Sequence, residues 1–129
     1  MKIVVLIARI LLGLIFVVFG ANGLHPFLPM PPPPGGLAGQ YVTALFQSHY
    51  AVVPFLVQLL GGILLLAGWY VPLALAILGP VIVNILCFHL FLFRDGLPTA
   101  VVVATLWFVL FYYYRRSFAG IFEARPRPV

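Results

Sequence analysis

Four long runs of apolar residues, separated by short polar or proline-rich segments, dominate the chain. At about 1.5 Å per residue in a helix, each run approaches the length that crosses a hydrocarbon layer of about 30 Å. Inside lipid the backbone polar groups must be bonded within the segment, so such runs form helices. The pattern predicts an all-α integral membrane protein, a four-transmembrane-helix bundle. Its single membrane domain covers residues 1–129, with spans at about 3–22, 52–69, 72–93 and 98–114.

The segment between the first two spans, about residues 23–40, is rich in proline. It contains the run Pro31 to Pro34, followed by two glycines. Because proline has no backbone N–H, this run cannot be helical within lipid, and we expect a loop that lies in the membrane interface or caps the bundle. Residues 37–49 are weakly amphipathic and predict a short helix that leads into the second span.

The first apolar run can also be interpreted as a cleaved signal peptide. Lys2 precedes the apolar stretch, and the small residues Gly20 and Ala21 follow it. However, the run from Ile3 to Phe19 is longer than the usual signal core of about 7–15 residues. We therefore expect this run to be retained as a membrane span.

Composition restricts the class of protein further. Hydrophobic residues make up 64% of the chain and charged residues 7%, with a mean hydropathy of +1.20. A soluble domain is typically about 25% charged because its surface must be solvated. The chain therefore needs a lipid bilayer as its environment. Nucleic-acid binding is excluded, because it requires a basic face on a water-exposed element.

The positions of the charges predict an orientation in the membrane. Four spans place both termini on one side, and that side carries Lys2 and the four arginines after Tyr114. An excess of Lys and Arg is typical of the cytoplasmic side. Arg94 is the exception on the other side, where Asp95 compensates it. We expect both termini to be cytoplasmic and the proline-rich loop to be outside.

Arg9 is the one charged residue in the interior of the first span, and polar residues inside spans are candidates for function because lipid penalises them. Two orientations are open. Arg9 either snorkels to the cytoplasmic interface or faces the bundle interior. Gly13, Phe16 and Gly20 lie on the same helical face as Arg9, which favours an inward, packed orientation.

Gln58 is the polar residue of the second span. Gly61 and Gly62 follow it at i+3 and i+4, so the small residues share its face. Because glycines allow helices to approach closely, we expect this face to pack against another span, through Gly13 or Gly20 of the first. Gln58 would then either form an interhelical hydrogen bond or contact a ligand.

The third span carries Pro80, Asn84 and His89. Asn84 lies near mid-membrane, where its amide must bond to another helix, a trapped water or a ligand. His89 is about 140° around the helix from Asn84, so the two converge on one pocket only if the helix is distorted. With Asn22 and Gln58, which also fall on the outer side, they define a candidate ligand pocket, and Arg9 completes the set of candidate ligand-binding residues.

The sequence gives less support to a metal site, to a known catalytic motif or to a disulfide. His25, His49 and His89 all fall on the outer side, but their spacing is long and irregular and no carboxylate accompanies them, so we assign no metal site. No Ser/His/Asp set, phosphate-binding glycine loop or HExxH motif is present. Cys87 is the only cysteine, which excludes an intrachain disulfide. The sequence leaves enzyme activity open.

The polar and small residues of the spans resemble the pattern of the DoxX family. The resemblance runs from about Ile7 to Phe118. It rests on Arg9-x-x-Leu12-Gly13 with Phe19-Gly20, on Gln58-Leu59-Leu60-Gly61-Gly62 with Leu64 and Gly68, and on Pro80 followed by Asn84. It implies a small four-helix protein of the bacterial inner membrane. The second-span motif of the family usually opens with Glu, and a neutral amide at Gln58 can neither accept a proton nor balance the charge of Arg9.

The resemblance also implies a role in quinone-linked redox chemistry, because members of the family are linked to quinone-dependent sulfur oxidation, as in subunits of thiosulfate:quinone oxidoreductases, and to membrane-associated oxidoreductase or oxidative-stress complexes. We expect a membrane subunit or binding component that takes a quinone or a similar amphipathic molecule, with oxidoreductase subunits as partners. An apolar site with a few hydrogen-bond donors suits a quinone head group. A non-catalytic small-molecule carrier or membrane scaffold is the alternative, and a histidine metal site is a third. The sequence leaves self-association into a homo-oligomer open.

Overall fold

The computed structural model describes residues 1–30 and 32–129, and this part of the chain is helical and contains no β-strand. Two short 3-10 segments, Arg94–Gly96 and Arg115–Phe122, accompany the α-helices, and the second is called the tail helix below. This described part of the chain forms five α-helices: α1 (Lys2–Leu24), α2 (Gly36–Gln47), α3 (Val52–Ala67), α4 (Val71–Phe91) and α5 (Leu97–Tyr113). The predicted all-α membrane bundle is confirmed.

Among the described residues, three helical segments are long and apolar enough to cross a membrane by themselves: α1, α4, and α5 together with the turn before it. α3 has 16 residues, which corresponds to about 24 Å and falls short of a hydrocarbon layer of about 30 Å. α2 and α3 reach the required length together, but they are bent by 84° at the break between them. The protein is therefore a multi-pass membrane protein with three spans, or four if α2 and α3 are counted as one.

Each span differs from the expectation by one or two residues at one or both ends, and α4 ends at Phe91 instead of residue 93. Two differences have a local cause. The second span was expected to reach residue 69, whereas α3 ends at Ala67, because Gly68 adopts a left-handed conformation (φ +73°) that closes the helix. The proline-rich loop was expected to reach residue 40, whereas α2 already begins at Gly36. From Gly35 to Val53 every residue carries a backbone N–H, so helical hydrogen bonding resumes directly after Pro34.

The four longest helices form a closed ring in which α1 contacts α3 and α5, and α4 contacts the same two helices. Gly13 of α1 faces Gly62 of α3, and Gly20 faces Leu59, so the two helices run antiparallel. Short connections give the same alternation for α3, α4 and α5. One end of the bundle carries the proline-rich segment and α2 and is called the loop end. The other carries Lys2 and the tail helix and is called the tail end.

Glycines set the close contact between α1 and α3. A Cβ atom on Gly62 would lie 2.8 Å from the carbonyl oxygen of Gly13 and 2.8 Å from the backbone nitrogen of Val17. A Cβ on Gly20 would lie 2.7 Å from the backbone nitrogen of Leu59. The expectation that Gly62 packs against the first helix is confirmed. Gly61 instead faces Leu78 of α4, so the two neighbouring glycines serve different helix contacts.

Close packing of large side chains is concentrated toward the tail end. Phe16 and Leu12 of α1 are almost fully buried. Trp107 of α5 lies against Gly79 of α4, and its indole N–H donates to the carbonyl oxygen of Leu75 over 2.9 Å. The remaining core side chains are Val5, Ala8, Leu65, Val71, Ala74, Leu75, Leu78, Ile82, Val103, Ala104, Leu110 and Phe118. The outward faces carry exposed apolar residues, as lipid requires.

Candidate ligand-binding site

A cavity of about 390 Å³ lies in the loop-end half of the bundle. Side chains from α1, α2, α3, α4 and α5 form its wall, and most of them are apolar or aromatic. The polar members of the wall are Tyr41, Gln58, Asn84, His89 and Thr99. The apolar members include Phe16, Phe19, Phe46, Phe55 and Phe88. Three of the five predicted ligand-binding residues, Gln58, Asn84 and His89, therefore line one cavity.

Gln58 is the most deeply buried polar residue of this wall, with 8% of its surface exposed. It lies one turn before Gly61 and Gly62, where α3 is closest to its neighbours. Its amide forms no hydrogen bond with another described residue, and neither amide atom is sealed off by protein. The donor and the acceptor of this amide are therefore available to a molecule in the cavity.

Asn84 has a protein partner. Its amide nitrogen donates to the hydroxyl oxygen of Tyr41 over 3.2 Å, and that hydroxyl lies 3.5 Å from the Asn84 amide oxygen. The ring of Tyr41 also packs on Phe88, with centroids 5.5 Å apart. The Asn84 side chain is exposed at the surface of the protein as well as lining the cavity. These contacts hold α2 against α4.

His89 lies on the opposite edge of the same wall. Asn84, Phe88, Ile85 and His89 occupy an arc of about 140° on α4, and all four line the cavity. α4 remains one continuous helix from Val71 to Phe91. Asn84 and His89 therefore share the cavity without an interruption of α4, because the cavity is wide enough to contact the whole arc.

The ring of His89 is fixed by two contacts. Its Nδ1 lies 2.8 Å from the carbonyl oxygen of Ile85, which accepts a hydrogen bond when Nδ1 carries the proton. Its other edge packs directly against Gly96, where a side chain would collide with the ring. In that tautomer Nε2 is an acceptor.

Asn22 lies outside the cavity wall and supports the loop instead. Its side chain is 4% exposed, and its carbonyl oxygen accepts hydrogen bonds from the backbone N–H groups of Phe27 and Leu28, each over 2.9 Å. These bonds turn the chain directly after α1, as Asn side chains commonly do. Asn22 therefore fixes the start of the proline-rich segment relative to the end of α1.

Arg9 lies at the tail end, away from the cavity. It is half-buried, and its guanidinium group packs directly against Gly68, which closes α3. The carbonyl end of a helix attracts a cation. The inward, packed orientation expected for Arg9 is what the structure shows, but its neighbour is a helix terminus and not the cavity.

The histidines do not assemble into a metal site. Within residues 1–30 and 32–129, no three His, Cys, Asp or Glu side chains lie together in a group that could hold a metal ion. His25 and His49 do not line the cavity that contains His89.

Two polar wall residues, Tyr41 and Thr99, were not singled out by the sequence pattern. Tyr41 belongs to the amphipathic segment before the second span, and its aromatic ring with a polar tip was a usable signal. Its position in the cavity wall depends on α2 lying over α4, and a local sequence pattern does not predict that contact. Thr99 follows Pro98 in the first turn of α5 and gave no signal.

Fold and cavity together define a multi-pass helical membrane protein with an internal, mostly apolar site at one end of the bundle. No protein-family model matches the chain, and no curated protein or solved structure matches it either.

Proposed function

We propose that this chain is a DoxX-like protein of the bacterial inner membrane that binds a quinone, or a similar small amphipathic molecule, in the loop-end cavity. It would act as the membrane subunit or binding component of a quinone-linked redox assembly, with electrons supplied by a partner oxidoreductase subunit. Both termini would lie in the cytoplasm, which places the cavity toward the outer face of the membrane.

The buried amide of Gln58 is the observation that carries this proposal. The residue is 8% exposed, no hydrogen bond joins its amide to another described residue, and the amide opens on the cavity. Its donor and acceptor are therefore available to an occupant. A ligand oxygen that accepts a hydrogen bond from this amide gains a bond made away from bulk water.

The chemistry of the wall fits a quinone head group. A volume of about 390 Å³ falls in the lower part of the range for small-molecule sites. A quinone ring presents an apolar face and two carbonyl oxygens that accept hydrogen bonds. Phe55 and Phe88 supply aromatic surface, while the two amide donors, Gln58 of α3 and Asn84 of α4, belong to different helices. The residues present therefore bind and orient the ring rather than supply electrons to it.

The first experiment replaces Gln58 and measures ligand content. Purified protein is extracted with organic solvent, and lipid-soluble molecules are identified and quantified by mass spectrometry. We expect a quinone in the wild type and a loss of at least tenfold in Gln58→Leu, while the melting temperature stays unchanged or rises. Stability is retained because the substitution removes a buried amide without breaking a protein hydrogen bond.

Thr105→Val is the matched control, since it removes a polar group from α5 outside the cavity. This variant should retain the wild-type quinone content. A wild type that carries no quinone and takes up none on addition contradicts the proposal. Recovery of a different amphipathic molecule in the wild type contradicts the quinone assignment and supports the alternative of a non-catalytic carrier.

A further inference from the structure

The tail end, opposite the cavity, carries a surface with both apolar and positively charged side chains. The tail helix follows α5 directly and folds back against it. Phe118 is 6% exposed and its ring lies 5.0 Å from that of Phe111. Phe122 packs on the same ring from further away. The tail helix is therefore held across the end of the bundle.

The tail helix combines exposed apolar groups with exposed positive charges. Ile121 and Phe122 are 71% and 72% exposed, and Arg115 and Arg116 are exposed as well. Exposure to water is unfavourable for the apolar side chains of Ile121 and Phe122. Burial in hydrocarbon is unfavourable for the charged side chains of the two arginines. The boundary between head groups and acyl chains accommodates both, because apolar side chains enter the acyl region while arginines reach the head groups.

The charge of this end is strongly unbalanced. Lys2, Arg115, Arg116, Arg125 and Arg127 belong to it, and Glu123 is its acid. In addition, Arg9 lies just inside the bundle against the closing residue of α3. Positive charges at a membrane surface attract anionic lipids over about one Debye length.

Arg115 is oriented before any lipid binds. Its Nη1 donates to the carbonyl oxygen of Tyr112 over 2.7 Å, and its guanidinium carbon lies 4.3 Å above the centre of the Tyr112 ring. Tyr112 is itself exposed. An arginine carries five N–H donors in a planar arrangement that matches phosphate oxygens, and most of these donors remain free here.

We propose that the tail-end surface, formed by Lys2, Tyr112, Arg115, Arg116, Ile121 and Phe122, binds the phosphate head groups of anionic phospholipids. Arg115 and Arg116 contact the phosphates, while Ile121 and Phe122 insert beside the acyl chains. This surface is separate from the cavity and does not depend on the function proposed for it.

The test measures lipid selectivity of the purified full-length chain in neutral detergent. Native mass spectrometry follows the binding of phosphatidylglycerol and of phosphatidylcholine with identical acyl chains. We expect the wild type to prefer phosphatidylglycerol. Each arginine near a membrane surface contributes about fivefold to anionic-lipid affinity, so Arg115→Gln with Arg116→Gln should lower the preference by about 25-fold.

Arg94→Gln is the matched control, because Arg94 is also exposed and also donates to a backbone carbonyl, that of Leu90, but lies at the loop end. It should keep the wild-type preference, and Arg115→Lys with Arg116→Lys should keep most of it. As an independent measurement on the wild type, raising the salt concentration from 50 to 500 mM should weaken the preference, because salt screens exposed charges.

Three results overturn the proposal: no preference in the wild type, an equal loss in Arg94→Gln, or a preference that salt does not change. The quinone content of the arginine variants should equal that of the wild type. The measurement of quinone content therefore distinguishes a failure of the lipid-binding proposal from a failure of the quinone-binding proposal.

Discussion

Gln58 and Asn84 are the two side-chain amides of the cavity, and their environments differ in a way that bears on function. Asn84 is bonded to Tyr41 and exposed, whereas Gln58 is buried as a residue and its amide opens on the cavity without a protein hydrogen bond. Loss of a bonded amide costs stability, and loss of an amide that bonds no protein group does not. The two residues should therefore respond differently to replacement by an apolar side chain.

Replacement of Asn84 tests whether this amide contacts the ligand directly. Asn84→Leu removes the hydrogen bond to Tyr41, and interhelical bonds of this kind contribute about 0.6 kcal/mol on average and at most about 1.7 kcal/mol. We expect a folded variant with slightly lower stability that has lost most of its quinone, measured by thermal unfolding in detergent and by extraction.

Tyr41→Phe provides the control for this experiment, since it removes the same hydrogen bond but leaves the Asn84 amide in place. Its stability should fall by a similar amount while quinone remains bound. If Asn84→Leu also retains the quinone, Asn84 only connects α2 to α4 and has no contact with the ligand.

At the scale of the helix, the contact between α1 and α3 depends on glycine. The carbonyl oxygen of Gly13 and the nitrogen of Val17 occupy the space that a Gly62 side chain would need. Both are backbone atoms of one helix, so neither can rotate away. Close approach of helices through small residues is the usual basis of packing in membranes, where the hydrophobic effect does not drive association.

Gly62→Ala should therefore destabilise the protein by about 1–3 kcal/mol through overpacking, seen as a lower melting temperature in detergent. Gly79→Ala is the matched control, because it gains the same helix propensity in α4. Its Cβ would meet only Trp107, at an ordinary contact distance of 3.5 Å. Equal stability of the two variants would show that α1 and α3 are not in close contact at Gly62.

The bend between α2 and α3 is the element-scale feature that creates the cavity. His49 in the connection adopts φ +63°, a conformation that non-glycine residues rarely take, and the two helices meet at 84°. Because of this bend, α2 lies over α4 and closes the site with Tyr41. A straight α2–α3 helix would have carried Tyr41 away from Asn84.

Across the whole molecule, the tail-end half is filled by side chains and the loop-end half contains the cavity. Phe16 belongs to both, since it is part of the core and of the cavity wall. The packed half can therefore hold the helices in register while the loop-end half accommodates a ligand. The lipid surface proposed for the tail end is formed on the packed half.

The orientation of the molecule can be tested with introduced cysteines. In a background with Cys87→Ala, because Cys87 is exposed, Pro32→Cys reports the proline-rich segment and Ser117→Cys reports the tail helix. On intact spheroplasts, an impermeant thiol reagent should label the first cysteine and not the second, since the arginine-rich end is expected in the cytoplasm. The reverse labelling pattern would mean that the termini lie outside.

The apolar runs determined the fold class by themselves, because hydropathy and helix length are sums over neighbouring residues and need no knowledge of tertiary contacts. The same local reasoning identified Gln58, Asn84 and His89 as candidates, since polar groups inside spans are costly wherever the helices lie. It also placed Gly62 at a helix contact. Each of these inferences depends on a property that is visible within one helix.

Only the tertiary structure decided which candidates share a site. The bend before α3 brings Tyr41 to Asn84, while Asn22 turns to bond Phe27 and Arg9 lies against Gly68 at the far end. These outcomes depend on the left-handed residue at His49, on the contact depth between α1 and α3, and on which neighbour meets each polar group. The contacts of Tyr41 with Asn84 and of Arg9 with Gly68 join residues far apart in the chain, and a local pattern of apolar and polar positions does not specify them.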